Sequence, residues 1–309
     1  MTTHNSRKIR GNLLLLLTAA IWGAAFVAQK TGGDQMGPLT FNGIRSVIGA
    51  VGLLLILPLT DRMKLSRKPA DPAERRYLLK AGILCGLTIF AATNLQQLGL
   101  VYTSAGKGGF LTALYILIVP FLGLFLGHRP KWVQWVGVGI ALIGMYLLCC
   151  CGETGFFGYG DLLVLLCALM YALQIQTVAY FPQADGVRLC CIQFATVAVL
   201  TLPLSLIFEH PSIGAITDGW ISLLYSGLLS SGVAYTLQII AQRMTNPVSA
   251  SLLMSLESVF AALTGWALLH ERLEPEELSG CILMFVAIIL AQLPVPHRHR
   301  KKEPDDRDV

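Results

Sequence analysis

Ten apolar stretches punctuate this chain of 309 residues. Each is about 20 residues long, enough to cross a hydrocarbon core about 30 Å thick. They fall near 12–30, 38–58, 78–101, 104–126, 132–151, 157–180, 188–208, 218–241, 247–269 and 276–293. Lipid offers no partner to an exposed peptide group, so stretches of this kind fold as helices. Hydrophobic residues make up 54% of the chain and charged residues 13%, which excludes an ordinary soluble surface. The expected fold is an all-α integral membrane protein with ten transmembrane helices. Arg7, Lys8 and Arg10 ahead of Leu13–Leu17 resemble the start of a secretory signal. The apolar run continues through Trp22 to Ala28, however, and predicts an uncleaved first membrane helix.

The chain also repeats itself. Ala92, Leu95, Gln96, Thr103, Leu111, Leu114, Gly123, Leu126 and His128 meet the same residue types at Ala234, Leu237, Gln238, Thr245, Leu253, Leu256, Gly265, Leu268 and His270. Shared leucines mean little in a membrane segment, but a Gln, a Gly and a His at one fixed offset indicate duplication. The expected organisation is a first five-helix unit over 1–151, a second over 152–293 and a charged, Pro-punctuated tail over 294–309. Lys and Arg concentrate on one side if the N-terminus lies inside: Arg7, Lys8, Arg10, the loop from Arg62 to Lys80, Arg188, Arg243 and the tail. Only Lys30, Lys107 and Arg272 fall near the outer side. Five crossings per unit then invert the second unit over the first, a 5+5 inverted-topology repeat with both termini cytoplasmic. The formal charge of +5 reads as topology and gives no sign of a nucleic-acid partner.

Ala20-Ile21-Trp22-Gly23 and Phe41-Asn42-Gly43-Ile44-Arg45, in the first two spans, carry a family resemblance. So do the closing stretches Pro120–Gly127 and Phe260–Glu271, each ahead of a Gly-bearing helix (Gly137, Gly139 and Gly144; then Gly280). In that order, and duplicated, they resemble the EamA-type branch of the drug/metabolite transporter superfamily over about residues 12–293. The resemblance implies export or exchange of small metabolites, often amino acids and their derivatives, driven by a proton or solute gradient. The chain departs from the family's frequent Gly-Glu at the ends of the fourth and ninth helices: here stand Gly127-His128-Arg129 and Leu269-His270-Glu271.

Polar residues at membrane depth are the candidate site. Glu257 sits midway along the ninth span, where a carboxylate costs several kcal/mol unless paired or protonated. It is a candidate for binding a coupling proton or a substrate ammonium; the bland alternative is a structural hydrogen bond to Ser255, Ser258 or a neighbouring helix. Its repeat counterpart is Tyr115. Gln96 and Gln238 occupy matched positions, three residues after Thr93 and Tyr235, which places each pair on one helix face. They either line a polar path or join helices. Arg45 and Lys107 are candidates for a substrate carboxylate. Snorkelling to the interface is the stronger reading of Lys107, whereas for the deeper Arg45 the two readings stand level. Asn42, one turn before Arg45, is placed to hold it. Trp22 lines the path or packs, and Gln174, Gln176 and Gln193 are open between path and helix contact. Gly123 with Gly127, and Ala261 with Gly265, have the spacing of close helix seams.

Eight cysteines, Cys149–Cys151 and Cys190–Cys191 among them, lack metal spacing and read as small hydrophobes. The chain carries neither a P-loop nor a GxGxxG turn nor an HExxH helix, so no cofactor is expected. The reading is a secondary active transporter of small polar metabolites, exporting an amino acid or related compound across a bacterial-type inner membrane. Its partners are the lipid bilayer, the metabolite and a proton as coupling ion, with a homodimer left open. Uptake or exchange of a drug-like cation or nucleotide-sugar is the alternative within transport. An intramembrane enzyme would need a second buried acid or a nucleophile beside Glu257, and a sensor would need an attached domain.

Overall fold

A computed structural model describes residues 2–103, 105–125, 127, 130–150, 158–269 and 274–292. Among them the chain is helical, without strands. Helices α1 (Thr2–Met36), α2 (Pro38–Arg62) and α3 (Pro72–Leu100) are followed by α4 (Ala105–Ala113), α5 (Tyr115–Phe125) and α6 (Trp132–Cys150). Then come α7 (Tyr159–Tyr180), α8 (Gly186–Phe208), the short α9 (Ile213–Asp218) and α10 (Trp220–Leu224). A π-helical stretch over Tyr225–Ala234 runs into α11 (Tyr235–Gln242), and α12 (Pro247–Met254), α13 (Glu257–Leu269) and α14 (Pro275–Gln292) complete the order. Eight helical stretches among the described residues are long and apolar enough to cross a membrane, and Trp132–Leu147 is a shorter apolar helix.

Local chemistry sets several helix starts. Asp71 accepts from the Glu74 amide ahead of Pro72, and Asn246 accepts from the Ser249 amide ahead of Pro247. A side-chain acceptor followed by proline at the first helical position is a strong start, because proline lacks the amide that would otherwise be orphaned.

The expected fourth and ninth spans are each interrupted. Leu114 separates α4 from α5, and Ser255–Leu256 separate α12 from α13. At these joints the backbone tightens to three-residue bonds, Leu117 to Leu114 and Ser258 to Ser255. Leu114 and Leu256 are matched in the sequence repeat, so both interruptions fall at one repeat position.

Packing follows the same correspondence. α6 lies antiparallel on α14, with Gly137 against Ala287 and Ala291 and Gly144 against Gly280 and Met284. α2 lies antiparallel on α8, with Gly43 against Leu202 and the Cys191 thiol donating to the Ala50 carbonyl at 3.4 Å. Gly11 of α1 meets Ala241 and Met244, while Gly160 of α7 meets Gly99 and Tyr102, the positions matched to that pair. At Gly23 a Cβ would stand 2.5 Å from the Phe260 Cβ, so only glycine allows α1 this close to α13. The expected seam at Gly123 and Gly127 is not built that way. Gly127 lies past the end of α5 at φ +80, with nothing within 4 Å of its Cβ position, and serves as a left-handed helix end.

Each end of the α2–α8 pair is clamped by an acid from the other helix. Glu209, closing α8, accepts from the Leu39 and Thr40 amides and the Thr40 hydroxyl at 2.6–2.8 Å. Those are free amides at the start of α2, which favour a negative charge. At the other end Asp61 of α2 takes both its oxygens to Arg188 Nη2 at 2.7 and 2.6 Å. Asp185, the N-cap of α8, further holds Ser66 Oγ and the Arg67 amide. Arg243 closes this end by donating to the Ala184 carbonyl.

Candidate functional site

Several of the buried polar residues converge on one cavity of about 530 Å³, counted out to its mouth. Seven of the ten candidate residues line it: Trp22, Arg45, Gln96, Tyr115, Tyr235, Gln238 and Glu257. They come from α1, α2, α3, α5, α11 and α13, so no single segment makes the site. Asn42 and Thr93 stand one layer behind. The Lys107 side chain lies outside the described residues, as do Arg129, His128, His270, Glu271 and Arg272.

Glu257 is the first residue of α13 and Tyr115 the first of α5, so each begins the helix beyond an interruption. The Tyr115 hydroxyl donates to Glu257 Oε1 at 3.5 Å. These are the same position of the two repeats, and they meet across the cavity. Ser255, a structural partner considered for Glu257, instead donates to the Leu252 carbonyl. Glu257 is 8% exposed and, among the described residues, is the one carboxylate lining the cavity.

Arg45 is 4% exposed, and its protein partners are neutral. Nε donates to Asn42 Oδ1 and Nη1 to Gln29 Oε1, both at 2.9 Å, and the guanidinium stands over the Phe41 ring at 5.6 Å. Asn42 is held in turn, donating to Thr93 Oγ1 at 2.9 Å and to Asn94 Oδ1 at 3.0 Å. Asn94 donates to Thr201 of α8 at 3.0 Å, so a buried chain runs from α8 through α3 and α2 to Arg45. Among the described residues neither Arg45 nor Glu257 has an ion-pair partner. One buried guanidinium and one buried carboxyl group thus share a cavity without pairing with each other.

The glutamines orient the walls. Gln96 donates to Thr112 Oγ1 and accepts from the Tyr171 hydroxyl, both at 3.1 Å. Gln238 donates to Gln174 Oε1 at 3.1 Å, leaving its own oxygen buried without a partner, and Gln174 reaches Gln193 at 3.5 Å. Gln176 turns away and donates to the Val119 carbonyl, a helix contact. The Trp22 ring packs at a tilt of 59° on Tyr235 with centroids 4.7 Å apart, and its Nε1 donates to the Ser230 carbonyl at 3.4 Å. That carbonyl lies in the π-helical stretch, where widened turns present backbone oxygens to the site.

Gln29, Thr112 and Tyr171 are site residues that the sequence reading missed. The repeat match of Thr112, Met254, also lines the cavity, a pairing that the sequence alone does not mark. Tyr171 stands to α7 as Trp22 does to α1 once the contacts of Gly11 and Gly160 are superposed, but that register differs from the one fixed by residues 92–128. Among the described residues no group of three metal-type ligands occurs.

The chain belongs to the EamA-like transporter family, whose model matches residues 9–150 and 158–293. It is a multi-pass membrane protein of that class. An uncharacterized transporter of Archaeoglobus fulgidus is 29% identical over 94% of this chain and 88% of its own length. A probable terminal-alkyne amino-acid exporter of Streptantibioticus cattleyicolor is 25% identical over 95% of this chain and 97% of its own. An uncharacterized inner membrane transporter of Escherichia coli K12, YedA, is 23% identical over 88% and 87%. A crystal structure with 18% identity superposes at a TM-score of 0.75 over 91% of this chain and 96% of its own, and so shares the fold.

Proposed function

We propose that the protein is a secondary active transporter that exports an amino acid or related zwitterion by alternating access. The carrying observation is the burial of a guanidinium and a carboxyl group in one cavity without an ion pair between them. A substrate carboxylate fits Arg45, whose remaining guanidinium protons have no protein partner, and a substrate ammonium fits Glu257. Trp22, Tyr171 and Tyr235 supply apolar faces for the rest of the molecule. A proton and an ammonium compete for the same carboxylate, so proton binding and substrate binding become alternatives at Glu257, and a proton arriving from outside displaces the substrate there. The relative named as a probable amino-acid exporter supports this substrate class.

The architecture proposed is ten spanning helices in two inverted halves, 1–151 and 152–293, with a cytoplasmic tail over 294–309. In this reading α4 with α5, and α12 with α13, each form one interrupted span, and α6 and α14 close the two halves. The antiparallel mates α2–α8 and α6–α14, the Tyr115–Glu257 contact and the two matched stretches of the family model support it. Interrupted helices around a midplane site between inverted repeats are the usual construction for alternating access. Lys and Arg distribution supports cytoplasmic termini in a bacterial-type inner membrane. An intramembrane enzyme is the poorer reading, because among the described residues Glu257 has no second acid beside it in the cavity. The test is an unbiased comparison of medium and cell metabolites with the wild-type chain and with Glu257→Gln. Accumulation of an amino acid outside cells carrying only the wild type supports the proposal. Identical profiles would overturn it.

A further inference from the structure

We propose that the crevice between α2, α3 and α8 at the basic end of the molecule binds one anionic phospholipid, headgroup and acyl chain together. The crevice encloses about 1210 Å³ out to its open side. Its wall is apolar, with Leu54 and Leu57 of α2 and Ile192 of α8, and Leu54 is 58% exposed on the lipid-facing side. Its rim is cationic: Lys68 from the connection after α2, Arg75 in the first turn of α3, and Arg188 near the start of α8.

Two of the three rim charges are not used by the protein itself, and the third, Arg188, is paired with Asp61. Among the described residues Lys68 and Arg75 have no ion pair or side-chain hydrogen bond. Arg188 gives Nη2 to Asp61 and Nε to the Arg67 carbonyl, leaving Nη1 without a partner. The one acid on the rim, Asp71, is engaged as the cap of α3. A phosphate needs such donors, and an acyl chain needs a wall of this kind open to the bilayer. A free anion would use the rim and leave the apolar wall exposed. Basic pockets between membrane helices bind acidic headgroups by the same combination. The inference rests on the chain's being embedded in lipid and is independent of the transport reading. Because Arg188 belongs both to the crevice and to the Asp61 clamp, an occupant would bear directly on that end of the α2–α8 pair.

The test uses the purified full-length chain in detergent, followed by native mass spectrometry. Dioleoyl-phosphatidylglycerol is titrated against dioleoyl-phosphatidylcholine of equal chain length, and sodium phosphate is titrated alone. The expected result is one tightly retained phosphatidylglycerol per chain, weak phosphatidylcholine and no phosphate adduct. Lys68→Gln with Arg75→Gln should weaken that binding about thirtyfold, two surface cations' worth of attraction. Leu57→Trp, which fills the crevice without touching charge, should also remove it. Arg62→Gln with Arg76→Gln makes the same charge change outside the crevice and should leave it intact. Equal binding of the two lipids would overturn the proposal. So would equal losses in the two double variants, or retention in Leu57→Trp, because either places the lipid on the general surface. Phosphate adducts that match phosphatidylglycerol would reduce the site to an anion site.

Discussion

A buried arginine without a carboxylate is the residue that most limits what the cavity can accept. Its neutral partners Asn42 and Gln29 fix the plane of the guanidinium without cancelling its charge. Lysine has one compact ammonium and cannot reach Asn42 and Gln29 while also presenting a fork to a substrate. Arg45→Lys is therefore expected to raise the half-saturating substrate concentration about tenfold, the worth of one charge-assisted hydrogen bond. Uptake into everted vesicles measures it, and an unchanged half-saturation would place Arg45 outside the binding step. At this scale the sequence was informative where depth and charge coincide, as at Arg45 and Glu257. It was silent where chemistry is ordinary: Tyr171 and Thr112 look like packing until Gln96 is seen between them. Thr93 shares a face with Gln96 as the spacing requires, yet it supports Asn42 from behind the cavity wall.

Helices were legible by length and apolar content, but α3 starts at Pro72, capped by Asp71, ahead of the apolar run expected from about 78. The interruptions at Leu114 and Ser255–Leu256 were not legible. No glycine or proline stands at either joint, so local propensity gives no sign of them. The residue after each joint, Tyr115 or Glu257, meets its counterpart across the cavity. The clamps at the ends of α2 and α8 were equally invisible, since Asp61 and Arg188, or Glu209 and Thr40, are far apart in sequence. They are mutually equivalent, one at each end of an antiparallel pair. Asp61→Asn and Glu209→Gln should each lower stability in detergent by about 1–3 kcal/mol, the range for hydrogen bonds to charged groups. Thermal unfolding followed by tryptophan fluorescence reads this. Midpoints equal to wild type in both variants would show that the clamps hold nothing.

Across the whole molecule, the duplication in sequence reappears as paired contacts about one centre. Antiparallel packing of α6 on α14 puts the preceding residues Lys131 and Glu274 at opposite ends of the pair. Cysteines placed at these two positions in a Cys-free background should label with an impermeant thiol reagent from opposite sides of the membrane. Labelling of both from the same side would contradict the inverted arrangement. The same centre carries the proposed function, in which the carboxyl group where the two repeats meet is the point of alternating access. Glu257→Gln keeps the shape and a hydrogen bond but cannot exchange a proton. In proteoliposomes loaded with the exported amino acid, this variant should lose movement driven by a proton gradient while retaining substrate-for-substrate exchange at a reduced rate. Full gradient-driven transport by Glu257→Gln would contradict the account and return this carboxylate to a structural role.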